Sequence, residues 1–168
     1  MRLFPAHVCA RLCILAILSG CGFQLRGAAD VPFSTIYVPA VAGGIGLELK
    51  RNIQAGTRAK VVENPKDAQA ILQFLQEARQ KIILSLSGTG RVREYRLVYR
   101  VQFRVHDGKG GDYVSPTTVE LTRDITFNDS DVLAKEAEEG LLVRDMQSDM
   151  VQQIMRRLAL AQPPKRAE

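Results

Sequence analysis

The clearest pattern in the chain is a two-residue alternation of apolar and polar side chains over residues 95–105. This period predicts a β-strand with one buried and one solvated face. A second alternation over residues 118–127 predicts another half-buried strand, as is typical of antiparallel sheets. The apolar members of the first alternation are Tyr95, Leu97, Tyr99, Val101, Phe103 and Val105.

Three further segments favour extended structure. Residues 71–86 form a long apolar and polar stretch, with a polar patch at 77–81 that indicates a bulge. Residues 35–38 predict a short strand ended by Pro39, and residues 60–62 favour at most a minor strand.

Two segments carry helical spacing. One begins near Gly46, with Gly56 placed to close it. The other is a long helix with three candidate N-caps at residues 128–130, and Pro163-Pro164 would end it. The order β-α-β-β-β-α predicts an α+β fold, with two helices packed on one face of a mostly antiparallel four-stranded sheet.

The first residues are typical of an export signal. The apolar run 12–18 follows basic residues and is shorter than the roughly 20 residues that span a bilayer. Leu18-Ser19-Gly20-Cys21 resembles a bacterial lipobox, in which Cys21 carries the lipid. We therefore expect a removed signal peptide (1–20), a lipidated tether (21–32), a single α+β domain (33–162) and a flexible tail (163–168). With Gly22 after the cysteine, the expected location is the periplasmic face of the outer membrane.

Composition argues against an enzyme. The chain has 168 residues, a hydrophobic fraction of 46% and a net charge of +5, which suits one folded domain. Removal of the signal would leave no free thiol and only His106, so neither a catalytic triad nor a zinc site is expected. Gly88-Thr89-Gly90 lacks the third glycine of a dinucleotide loop, where Arg93 stands instead. We expect no catalytic residue, cofactor or metal.

Three arginines, Arg96, Arg100 and Arg104, alternate with the apolar positions and should share one face of their strand. Such a row is often a solvated sheet face that opposes aggregation. It could equally form a cationic surface for an anionic lipid headgroup or an acidic protein wall, since guanidinium groups bind phosphate well. Charge alone does not choose between these interpretations.

Several segments, in order, resemble one family. Residues 21–27, Cys21-Gly22-Phe23-Gln24-Leu25-Arg26-Gly27, follow the lipobox as in the lipopolysaccharide-assembly lipoproteins (the LptE family). Residues 90–97, in which Glu94-Tyr95 opens the long strand, and Phe127-Asn128-Asp129, followed by Leu133-Ala134-Lys135-Glu136, are similar to later parts of that family.

The resemblance implies a partner and a ligand. Members of the family plug the outer-membrane β-barrel that translocates lipopolysaccharide (LptD), assist its assembly, and bind lipopolysaccharide. Lys135 falls where the family has a basic contact, although it also fits an ordinary exposed charge in a first helical turn. The family's second basic contact aligns here with Gly88, so that Arg91 or Arg93 would have to supply the charge.

Two other functions remain open from the sequence. One is an auxiliary lipoprotein of a phospholipid-transport system that has no barrel partner. The other is a hydrolase, which would require an acidic or nucleophilic pocket.

Overall fold

The computed structural model describes residues 30–39, 44–128 and 131–164. The lipobox, Cys21 and the candidate caps Asp129 and Ser130 lie outside the described residues. The strands are β1 (Thr35–Tyr37), β2 (Lys60–Val62), β3 (Ala70–Leu86), β4 (Val92–His106) and β5 (Asp112–Thr126). The helices are α1 (Ile45–Gly56) and α2 (Val132–Ala159), and a 3-10 turn spans Pro65–Asp67.

The sheet has five strands in the order β2-β1-β3-β4-β5, so the prediction of four was wrong. The additional strand is β2, which pairs in parallel with β1 from Thr35↔Lys60 to Tyr37↔Val62. Three residues are too few to show a period, which is why the sequence favoured only a minor strand there. The β1–β3 pairing is also parallel, whereas β3, β4 and β5 are antiparallel.

Both helices cover the same face of the sheet, as predicted for an α+β fold. Phe103 and Val105 of β4 share one buried core with Leu49 of α1 and Ile154 of α2, all at 0% exposure. The alternation seen in the sequence therefore marks the face that the helices cover. The other buried residues of this core include Phe33, Ile36, Val38, Ile45, Ile53, Leu72, Tyr99, Val101, Met146, Met150, Val151 and Leu158.

The polar patch at 77–81 does not form a bulge. β3 continues through it, and its register shifts fall between Phe74 and Gln76 and between Ile83 and Ser85. The patch is polar because the helix side of the strand carries Glu77, Arg79 and Lys81, and each has a partner there.

One end of the sheet extends beyond the two short strands β1 and β2. β1 pairs with β3 only at Ala70 and Ile71, so the distal parts of the last three strands form a three-stranded arm (residues 76–86, 92–102 and 118–126). The start of the domain lies at the opposite end, where the Phe33 ring meets Tyr113 edge to face with centroids 5.3 Å apart. The arm therefore points away from the beginning of the described chain.

Polar contacts join the arm to both helices. The hydroxyl of Tyr99, a buried residue, donates to Glu77 Oε1 at 2.8 Å, and Arg79 lies over the same ring at 4.6 Å. Arg79 also donates to Gln147 Oε1 at 3.0 Å, and Gln147 donates to Glu48 of α1 at 2.9 Å. Burial, as the largest cause, raises the pKa of Tyr99 to about 12.

The raised pKa of Tyr99 gives a pH-dependent stability. Because the fold favours the neutral phenol, this contribution is complete below pH 10 and is lost as the pH rises from about 10 to 12. A difference of two pKa units between the folded and unfolded states corresponds to about 3 kcal/mol of unfolding free energy. Tyr99→Phe should remove this dependence and cost about 1 kcal/mol at pH 7 through the lost hydrogen bond. Urea unfolding of the unmodified protein and of Tyr99→Phe at pH 7, 10 and 11.5 measures the pH dependence. If both proteins lost the same unfolding free energy above pH 10, Tyr99 would not be its source.

Candidate functional site: a basic groove at the β3–β4 hairpin

The β3–β4 hairpin forms one wall of the candidate site. Its turn closes through two backbone hydrogen bonds, from Ser87 N to Arg91 O at 2.7 Å and from Gly90 N to Ser87 O at 2.9 Å. Gly90 adopts φ +79°, a left-handed conformation that favours glycine. The Arg91 N–H also donates to Ser87 Oγ at 3.1 Å, so this arginine leaves the turn from a fixed backbone.

Arg93 lies at a register shift of the hairpin. Leu86 pairs with Val92 and Ser85 pairs with Glu94, which leaves Arg93 as the additional residue on β4. Its carbonyl accepts a hydrogen bond from Phe127 N at 2.7 Å, just beyond the end of β5. The bulge thus ties the hairpin to the segment that leads into α2, and bulges commonly re-aim side chains in this way.

A groove of about 610 Å³ opens between these segments; we call it the basic groove. Two arginines and three hydroxyl-bearing residues of the hairpin line it, together with Glu94, whose carboxylate accepts from Ser85 Oγ at 2.7 Å. Arginine forks and hydroxyls suit the phosphates and sugar oxygens of an anionic ligand. The lining residues are Ser85, Ser87, Thr89, Arg91, Val92, Arg93, Glu94, Thr126, Phe127 and Asn128.

Lys135 reaches the edge of the basic groove from α2. Its Nζ donates to Thr126 Oγ1, a lining residue, at 3.2 Å. The same Nζ lies 2.8 Å from Glu138, one helical turn further on, which offsets a cation near a helix N-terminus. The fold therefore brings all three sequence candidates, Arg91, Arg93 and Lys135, to one end of the sheet.

The outward arginines of β4 are largely neutralised, and the structure favours a solvated face. Arg96 forms a two-pronged ion pair with Asp124, at 2.7 and 2.8 Å, and Arg100 pairs with Glu120. The hydrogen bond from Arg96 holds the pKa of Asp124 below its usual value. Arg104 donates to Gln73 at 2.8 Å.

Sequence reasoning missed these ion pairs because they join residues far apart in the chain. The acidic partners, Glu120 and Asp124, are themselves visible in the alternation of residues 118–127, where they stand four positions apart among the polar residues. Pairing them with particular arginines requires the β4–β5 register, which no local pattern gives.

The histidine that the sequence leaves as a possible catalytic or metal-binding residue has a structural contact in the turn. His106 Nδ1 accepts from Gly108 N at 3.1 Å within the β4–β5 turn. Across residues 30–39, 44–128 and 131–164 no cluster of three or more metal-binding side chains is found. Within the same ranges, no helix has the length and apolar character needed to cross a membrane.

Comparison with known proteins identifies relatives over most of the chain. The sequence model of the family described as "LptE: Lipopolysaccharide-assembly" matches residues 33–158. Proteins named LPS-assembly lipoprotein LptE are similar in Pectobacterium atrosepticum (29% identity, covering 84% of this chain and 78% of that protein) and Yersinia enterocolitica (32%, covering 86% and 72%).

Solved structures share the fold. The solution structure of an uncharacterized lipoprotein B from Nitrosomonas europaea matches with a TM-score of 0.69 and 48% identity, over 80% of this chain and 88% of that one. The crystal structure of the rare lipoprotein B from Shewanella oneidensis matches with a TM-score of 0.63 and 25% identity, over 74% and 93%.

Proposed function

Because this chain belongs to the lipopolysaccharide-assembly (LptE) family, we propose that it binds lipopolysaccharide in the basic groove and plugs the translocon barrel LptD. In this proposal Cys21 carries the lipid that holds the protein at the periplasmic face of the outer membrane. The protein also assists assembly of the barrel, and it acts as a binding and assembly protein without catalysis.

The observation that carries the proposal is the meeting of the hairpin and the start of α2. Phe127 N donates to Arg93 O, and Lys135 donates to Thr126, so two segments distant in sequence supply cations to one groove. Lipopolysaccharide carries phosphates on a sugar backbone. Arginine and lysine beside hydroxyl groups match that chemistry.

The neutral outer face of the sheet supports the plugging role. Arg96–Asp124 and Arg100–Glu120 make this face polar without a strong charge of either sign. A wide barrel has a polar, aqueous lumen that must be blocked. A solvated sheet face with paired charges is compatible with such a lumen, and it avoids the cost of burying unpaired charges.

Mild-detergent isolation of the envelope complex tests the placement. We expect the full chain to co-purify with a large outer-membrane barrel, and its depletion to lower surface lipopolysaccharide. Cys21→Ser is the matched control for the anchor, and it should release the protein from the outer-membrane fraction.

Two results would contradict the proposal. One is recovery only as a free lipoprotein, with surface lipopolysaccharide unchanged on depletion. The other is recovery with an inner-membrane phospholipid transporter, which would support the auxiliary role in phospholipid transport.

A further inference from the structure

A second cavity lies between the arm and α2. Its volume is about 150 Å³, and its apolar lining residues are Leu97, Val98, Val143 and Met146, with Tyr99 beside them. We call it the helix pocket. Apolar cavities of this size in proteins accept ligands such as benzene, which corresponds to about six carbon atoms.

The mouth of the helix pocket is charged. Lys81 Nζ of β3 lies 2.5 Å from Glu139 of α2, so an ion pair bridges sheet and helix beside the cavity. Arg79 also lines it, through a guanidinium that lies over Tyr99. Both cations are paired with carboxylates, Lys81 with Glu139 and Arg79 with Glu77, so the preference for a hydrocarbon chain comes from the apolar interior and not from a net charge at the mouth.

A row of contacting side chains, which we call the track, connects the helix pocket to the basic groove. Lys81, at the pocket, lies over the Tyr95 ring at 4.3 Å, and Tyr95 packs edge to face on Phe127 at 5.5 Å. Phe127 in turn lines the basic groove. Ile83 pairs with Tyr95 on the same face of the sheet and is 53% exposed, although large apolar side chains usually gain by burial.

From this continuity we propose that the helix pocket and the track hold an acyl chain of the ligand whose phosphate binds in the basic groove. The inference rests on the proposed function, because it assumes an anionic lipid at Arg91, Arg93 and Lys135. It adds a second subsite of different chemistry, formed by Ile83, Tyr95, Leu97, Val143 and Met146. The phosphate would fix the ligand's position, and the chain would supply most of the affinity.

Nuclear magnetic resonance with two simple probes separates the subsites. Ethyl phosphate and dodecyl phosphate, the latter below its micelle concentration, should both shift the backbone amides of Arg91 and Arg93. Only dodecyl phosphate should shift the methyl groups of Leu97, Val143 and Met146. Each buried methylene strengthens binding about fourfold, so four of them already make dodecyl phosphate more than a hundredfold tighter than ethyl phosphate.

A variant that fills the helix pocket gives the second measurement. Val143→Trp should weaken dodecyl phosphate at least tenfold and leave ethyl phosphate unchanged. Leu141→Trp is the matched control, because Leu141 lies on the same helix, is 57% exposed and does not line the cavity. If Val143→Trp does not fold, the methyl shifts of the unmodified protein decide the question alone.

The outcomes distinguish the two proposals. Dodecyl phosphate that shifts the groove amides but not the pocket methyls would overturn the acyl-chain site and leave the groove in place. The same conclusion would follow if Val143→Trp bound dodecyl phosphate as tightly as the unmodified protein. If the unmodified protein bound neither lipopolysaccharide nor ethyl phosphate, the proposed binding in the basic groove would itself be wrong.

Discussion

Reversing two charges of the basic groove, Arg93→Glu together with Lys135→Glu, is expected to weaken lipopolysaccharide binding about a hundredfold. Hydrogen bonds to charged groups contribute roughly 1.5–3 kcal/mol each, and partly exposed groups fall at the low end of that range. About 1.4 kcal/mol corresponds to a factor of ten, which gives about tenfold for each position. Equilibrium binding to purified lipopolysaccharide at two salt concentrations measures the effect, and high salt should reduce the difference between the proteins.

The matched control for this variant is Arg51→Glu together with Arg58→Glu. It makes the same change in net charge, at two exposed positions that do not line the basic groove. Binding of the control should stay within about twofold of the unmodified protein. Equal losses in both variants would show that net charge alone governs binding, and no loss in either would exclude the groove.

Lys135→Glu alone should leave the fold and the association with the barrel intact.

Replacing Phe103 by Ala is expected to cost about 3–5 kcal/mol of unfolding free energy. The side chain is fully buried in the hydrophobic core that joins the sheet to both helices. Because domains of this size are stable by only about 5–15 kcal/mol, the variant should be close to unfolding at 37 °C. Urea denaturation at 25 °C, followed by circular dichroism, measures the loss.

Leu133→Ala is the matched control for the core variant. It removes a large apolar side chain from a position that is 83% exposed, so the expected change is within about 0.5 kcal/mol. A cost below about 1 kcal/mol for Phe103→Ala would contradict the burial described for this residue.

The parts of the fold that the sequence predicted are those with a long period. The alternation from Tyr95 to Val105 identified the buried face of β4 correctly, and helical spacing identified α1 and α2. β2 was underestimated because three residues carry no period, and its role as a strand depends on pairing with β1. The patch at 77–81 was misread because its polar side chains meet partners on α2 and β4, which a local pattern does not show.

The sequence suggested the residues of the candidate site but not how they are arranged in space. Arg91, Arg93 and Lys135 were all candidates, and the sequence could not show that the bulge at Arg93 brings the hairpin to the end of β5. The helix pocket had no sequence signal, because Leu97 and Met146 fit equally well as ordinary core positions. Such cavities arise where packing between helix and sheet is incomplete, and that is a property of three-dimensional fit.

The basic groove lies at the opposite end of the domain from its start, and this separation can be compared with the length of the tether that follows Cys21. β4 has 15 residues, so at about 3.3 Å per residue it spans roughly 45–50 Å. The nine steps from Cys21 to Asp30 extend at most about 30 Å. With Cys21 acylated as proposed, even a fully stretched tether is shorter than β4, so the tether alone does not carry the lipid anchor from the start of the domain to the basic groove. A domain that stands upright on this tether would present the sugar-phosphate end of its ligand well away from the bilayer surface that holds the fatty acids of Cys21.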